Sequence, residues 1–272
     1  MEGQPNDRFQ EIWREALNGC NWPISAWRLA LGRDTHIADS HKTPTCGVFF
    51  RDYGAGYLWQ SSLVRMIKAL FFDFDGVLTL DKTGSLTTTR YISEATGIDH
   101  ARVMAAFATY NDDLTRGRCT HAAVWAEICH DLVADVDIAL LEKAFASTAL
   151  NVEMLALAIR LRPSYIIGVI TDNKQDRMDC IERLHRLSSL FHPIVVSAAV
   201  GSTKTDRAIF EHALALAHVA PSECIFIDNT ARNLSVPREM GIDGIHFDDE
   251  ANDIPKLIGE LRERHIVVGD AR

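Results

Sequence analysis

The spacing of apolar and polar residues changes character twice along the chain. Up to about residue 65 there is little sustained periodicity beyond a helix over Arg8–Leu17, and the stretch from Gly32 to Gly47 is polar and turn-rich. From Ile67 the apolar positions run through Ala69-Leu-Phe-Phe straight into Asp73-Phe-Asp75-Gly76, which predicts a buried central strand ending in a tight turn. Both carboxylates then fall at the carboxyl end of that strand, where open α/β sheets place ligands. A side-chain period of two along a strand would set them on one face, with Gly76 allowing the backbone to bend close.

The pattern turns helical from Ser85 to Arg160. Gly97 closes one helix, and Asp99, Thr120, Asp137 and Asn151 can begin four more, carrying Val103 and Phe107, then Trp125 and Ile128, then Leu141 and Phe145, then Leu155 and Ile159. This predicts a small bundle inserted after the first strand and lying over Asp73 and Asp75. Beyond Pro163 strands and helices alternate. Tyr165–Ile170, Ile194–Val196, Cys224–Asp228 and Gly244–Phe247 read as strands, separated by helices through Met178–Leu184, through Asp206–Leu216 and from Pro237, with a last helix near Ile254–Leu261. Alternation of this length implies an α/β fold, a Rossmann-like three-layer core with a parallel sheet and helices on both faces. The expected division is a core of residues 66–84 and 161–272, a helical cap of residues 85–160, and an extension, residues 1–65, outside the catalytic fold. Four of the five tryptophans lie in that extension, so an upstream segment and a docking or oligomerisation arm are both open readings of it.

Composition narrows the function. With 272 residues and 47% apolar content the chain can bury a large core. A net charge of −9 argues against nucleic-acid and membrane surfaces, so an anionic substrate would need a local positive site or a metal ion. The six cysteines, Cys20, Cys46, Cys119, Cys129, Cys180 and Cys224, form no CxxC pair and read as reduced thiols. No apolar run is long enough for a membrane span, and the first ten residues lack the features of a signal peptide, so a cytoplasmic location is expected, as monomer or homodimer.

Four polar clusters line up at the ends of these elements: Asp73 and Asp75 in DFDGVLT, Thr171 in ITDN, Lys204 in STKTDRAIF, and Asp228 in FIDNTARN. In this order they resemble the four motifs of the haloacid dehalogenase superfamily, over residues 66–265, with the helical insert similar to its type-1 cap. The resemblance implies catalysis by Asp73, Asp75, Thr171 and Lys204 and substrate binding by Thr171, Asn173 and Lys204. Arg116 and Arg118 flank Gly117 in the cap, and two readings are open for them: solvated surface residues, or, for Arg116, a substrate-binding residue that meets the substrate's far end. The resemblance also implies a magnesium ion held by Asp73, Asp228 and the backbone carbonyl of Asp75. The chemistry agrees: a carboxylate, Asp73, can attack phosphorus to give an aspartyl-phosphate. Asp75 would protonate the leaving oxygen and then activate water. Lys204 would neutralise charge, and Thr171 would donate a hydroxyl.

Two positions depart from the pattern: Asn229 stands where many relatives carry a second acid, with Asn233 four further on, and Thr205 where proline is common. The leading expectation is a magnesium-dependent phosphatase of a small sugar phosphate-like metabolite. A phosphomutase of the beta-phosphoglucomutase type and a non-catalytic binding protein of the same fold are the alternatives. Substrate choice is expected from cap residues around Tyr91, Phe107, Tyr110, Arg116 and Trp125.

Overall fold

The computed structural model describes residues 66–269, and the expectations for residues 1–65 lie outside the described residues. Its centre is β1 (Ala69–Phe72), a tetrapeptide with no side chain exposed. It lies between β2 (Ile166–Thr171) and β4 (Cys224–Asp228), with β3 (Ile194–Val196) beyond β2 and β5 (Asp243–His246) beyond β4. Every pairing is parallel. Burial on both faces explains why these strands read as continuous apolar runs rather than alternating ones. On one face Phe71 joins a cluster in which Phe210 meets Phe226 edge-to-face at 5.5 Å, and on the other Phe72 meets Phe191 at 6.3 Å. The chain leaves β1 toward β2 and returns on the other side as β4. This reversal opens a crevice at the carboxyl ends of β1, β2 and β4.

The turn after β1 differs from expectation. The strand closes at Phe72, although the Asp73 amide still donates to Ile227 O at 2.8 Å. A wide turn over Phe74–Leu78 follows, closed by Thr79 N donating to Phe74 O at 3.1 Å, with Gly76 at φ +76°. Asp73 and Asp75 are therefore brought together by a turn rather than by the period of a strand. A Cβ at Gly76 would lie 2.1 Å from Asn229 Nδ2, so the close approach that needs glycine is to Asn229.

Four helices fill the insert: α1 (Gly84–Thr96), α2 (His100–Thr115), α3 (His121–Leu132) and α4 (Ala139–Ala146). Asp99 and Thr120 cap α2 and α3 by accepting first-turn amides, as their spacing predicts, and Thr83 does the same for α1. The insert has its own core of Ile92, Val103, Phe107, Trp125, Ile128, Leu141 and Phe145. Trp125 Nε1 donates to Val136 O at 2.7 Å inside it.

The outgoing and returning chains cross side by side, bridged at Thr79 and Leu150, with Leu80 N to Ala149 O at 3.0 Å and Asn151 N to Leu78 O at 2.8 Å. The fifth expected cap helix, α5 (Val152–Leu161), begins after that return and packs on the turn following β1. Its cap residue Asn151 also donates to Val77 O at 3.1 Å and Asn252 Oδ1 at 2.8 Å, which fastens α5 to the sheet side. The insert therefore ends near residue 149, not 160. Apart from a single helical turn at Ser197–Val200, the remaining α-helices are α6 (Gln175–His185), α7 (Arg207–Ala217), α8 (Ser235–Met240) and α9 (Ile254–Glu263). Among the described residues no helix is long and apolar enough to cross a membrane.

Candidate active site

The crevice is lined by Asp73 and Asp75 from the first turn, Thr171 to Lys174 following β2, Thr203 to Thr205, Asn229 to Asn233 where they face inward, and cap residues including Ser85, Asn111 and Arg116. Lys204 is its electrostatic hub. Its ammonium lies 2.6 Å from Asp73 Oδ2 and 2.8 Å from Asp228 Oδ2, and all three side chains are buried. Its backbone amide donates to Asp172 Oδ1 at 2.9 Å, which fixes the loop. Burial opposes the charge on Lys204, but Asp73, Asp228 and Asp172 outweigh it and hold its pKa above the ordinary lysine value. Burial pushes Asp73 well above the ordinary carboxylate range; Lys204 opposes this, whereas Asp228 and Asp75 add to it.

Asp228, at the end of β4, accepts from the Thr230 amide at 2.7 Å and from Asn233 Nδ2 at 3.2 Å on each oxygen. Thr171, at the end of β2, is buried, and its hydroxyl has a long 3.4 Å contact from Asn173 Nδ2. Asp73 Oδ1 accepts from the Phe74 amide at 2.6 Å.

Asp75 is held by a residue that the sequence pattern hides. Arg177, near the start of α6 and 1% exposed, forms a two-pronged pair with it, Nη2 to Oδ1 at 2.8 Å and Nη1 to Oδ2 at 2.9 Å. Asn173 Nδ2 donates to the same Oδ2 at 2.8 Å. The guanidinium also reaches Asn173 Oδ1 and Thr148 Oγ1, and lies 5.7 Å over the Phe74 ring. Asn173, expected to bind substrate, lines the crevice and is also a strut between Asp75 and Arg177. The available signal was positional: Arg177 stands four residues before Ile181, on the apolar stripe of an amphipathic helix.

A Cβ at Gly84 would fall 2.3 Å from both Arg177 Cζ and Nη1. Gly84→Ala is therefore expected to destabilise the protein by about 1–3 kcal/mol, the usual range for overpacking, because a locked guanidinium cannot step aside. Urea unfolding checks this; an unchanged midpoint would show that Arg177 is free to move.

The comparisons with known proteins fall on this same part of the chain. The sequence model of haloacid dehalogenase-like hydrolases matches residues 67–241. The chain belongs to this family. Among curated relatives, the bifunctional epoxide hydrolase 2 of Rattus norvegicus is 24% identical over 214 residues, which covers 70% of this chain. That region is 38% of the rat protein, so the chain spans well under half the length of the curated relatives it matches. A haloacid dehalogenase family enzyme of Bacteroides thetaiotaomicron superposes with a TM-score of 0.59 at 20% identity, covering 71% of this chain and 98% of that one. The same enzyme has been solved with magnesium and inorganic phosphate, at a TM-score of 0.56 and 19% identity, covering 70% of this chain and 98% of that one. The L-2-haloacid dehalogenase of Xanthobacter autotrophicus, with chloropropionic acid covalently bound, superposes with a TM-score of 0.52 at 15% identity, covering 74% of this chain and 85% of that one.

In this haloacid dehalogenase-like hydrolase, the expected magnesium site can be tested against the donors present. Among the described residues no three His, Cys, Asp or Glu side chains converge, so a cation here would rest on Asp73, Asp228, the Asp75 carbonyl and water. An all-oxygen set that leaves room for water suits a small hard cation. The Lys204 ammonium lies between Asp73 and Asp228, and Asp73 is raised first by burial and then by Asp228 and Asp75, so a further positive charge at this point would be favourable. The residues fit a divalent cation.

Arg116 is neither a freely solvated residue nor an unengaged one. It lines the crevice, but its guanidinium pairs with Asp206 at 2.9 Å and Asp112 at 3.2 Å and donates to Thr203 Oγ1 at 3.2 Å. It thus fastens the end of α2 to the Lys204 loop. Tyr91 and Trp125 belong to the insert's own core, Phe107 lies beside a smaller recess, and Tyr110 lines a separate surface hollow; none of them lines the main crevice.

Proposed function

We propose that the protein is a magnesium-dependent phosphatase that hydrolyses a small phosphorylated metabolite through an aspartyl-phosphate. The observation that carries this is the opening of a second carboxylate, Asp75, onto the same crevice as the buried pair Asp73–Lys204. Asp73 attacks phosphorus while the bond to the alcohol oxygen breaks. Asp75 supplies the proton that the departing oxygen takes up, and then receives one from the water that cleaves the acyl phosphate. Arg177 and Asn173 donate to both of its oxygens, so one of these bonds gives way when Asp75 carries the proton. Lys204 balances charge between Asp73 and the transferring group, and Thr171 offers its hydroxyl to a phosphoryl oxygen. A bound magnesium ion would add charge neutralisation for the approach of two anions.

The test is a screen of phosphorylated metabolites with magnesium and with chelator, reading released phosphate. Release that requires magnesium is the expected result. No release from any ester, or halide release from 2-haloacids without magnesium, would overturn the reading.

A further inference from the structure

Five basic side chains line the crevice: Lys82, Arg116, Lys174, Lys204 and Arg232. Lys204 is taken up by Asp73 and Asp228, and Arg116 by Asp112 and Asp206. Lys82 and Arg232 are exposed, where water satisfies an ammonium or guanidinium. Lys174 is different. It is half-buried, forms no ion pair among the described residues, and donates from Nζ to Ser85 Oγ at 3.3 Å.

The carboxylates around Lys174 are engaged elsewhere. Asp75 holds Arg177, Asp172 accepts the Lys204 amide, and Asp176 accepts from the Arg177 amide at 2.9 Å and sits 2.7 Å from His121 Nδ1. Burial and the neighbouring Arg177 charge lower the Lys174 pKa to about 8, which Asp75, Asp172 and Asp176 offset only in part. A partly desolvated cation without a counter-ion is costly, and a bound anion would relieve it. Ser85 Oγ in turn donates to Asn111 Oδ1 at 3.4 Å, so α1, α2 and the loop after β2 present an ammonium, a hydroxyl and an amide to one region of the crevice.

We propose that Lys174, with Ser85 and Asn111, binds a carboxylate on the substrate, which makes the substrate class a small phosphate monoester of a hydroxy acid or sugar acid. This rests on the phosphatase reading above. One ammonium balances one negative charge, so a carboxylate suits the subsite and a second phosphate dianion does not. The donors come from both the insert and the core, so the same contact would draw the two together over the substrate.

The experiment compares 3-phosphoglycerate with glycerol 3-phosphate, in which a neutral hydroxymethyl group replaces the carboxylate, and uses p-nitrophenyl phosphate as reference, for the native protein, Lys174→Met and Lys174→Arg. The native protein is expected to favour 3-phosphoglycerate by roughly tenfold or more in kcat/KM, the worth of about one charge-assisted hydrogen bond. Lys174→Met should erase that preference mainly through KM, lowering kcat/KM for 3-phosphoglycerate at least about tenfold more than for p-nitrophenyl phosphate, and Lys174→Arg should restore most of it. Phosphate release without preference for the carboxylate ester, or equal losses on all three esters in Lys174→Met, would overturn this inference and leave the phosphatase reading standing. No phosphate release from any of the three would overturn both.

Discussion

Asp75→Asn is expected to lower turnover by roughly 10²–10⁴-fold, the usual worth of a positioned general acid–base. The loss should be smaller for aryl phosphates, whose leaving group needs little protonation. Attack by Asp73 would then outrun hydrolysis of the intermediate, giving a rapid burst of aryl alcohol and a phosphorylated protein, whereas Asp73→Asn gives no burst. From the motif alone the amide would leave the fold almost unchanged, because Asp75 is needed there only for its carbonyl and its proton. The structure changes that expectation. Asp75 is the carboxylate partner of a guanidinium 1% exposed, and an amide cannot complete the two-pronged pair. Leaving Arg177 with an unpaired buried charge should cost about 3–5 kcal/mol of stability. Urea unfolding alongside stopped-flow kinetics reads both effects. Full stability together with no burst would remove Asp75 from both roles.

Lys204→Met is expected to be as severe in a different way. The ammonium sits between two buried carboxylates, 2.6 Å and 2.8 Å away, and its loss leaves Asp73 and Asp228 facing each other without it. Turnover should fall by at least roughly 10²-fold, the scale for removing one preorganised group that stabilises transition-state charge. Added magnesium should not restore it, since a cation bound by Asp73 and Asp228 does not replace a donor on the side of the transferring phosphoryl group. A magnesium titration at saturating substrate decides the matter, and recovery of native turnover at high magnesium would show that Lys204 serves only to neutralise the metal ligands.

The apolar runs that read as strands became β1 to β5 with boundaries shifted by about one residue at β2 and β5, and Thr83, Asp99 and Thr120 cap their helices. Strand burial, helical periodicity and capping depend on residues within a few positions of one another, so the order of residues carries them directly. Alternating units make the strands parallel, which is why Asp73, Thr171 and Asp228 end at the same edge of the sheet. The reversal of strand order around β1, which opens the crevice there, is set by the folded chain.

Which side chain holds which was decided by tertiary structure. Arg177 and Asp75 are separated by 102 positions and Arg116 and Asp206 by 90, and at such separations many basic residues are equally available to each acid. Only packing selects among them, because a charged group can stay buried only where its hydrogen bonds are met. Lys174 shows the converse: its position beside Thr171 was visible in the sequence, but its lack of a counter-ion depends on where Arg177, Lys204 and His121 turn the neighbouring carboxylates. The sequence by itself determined the sheet, the insert and the line of acids at the crevice, since these follow from local burial and periodicity. The folded chain decided the pairing of charges, since that depends on distances no sequence spacing contains.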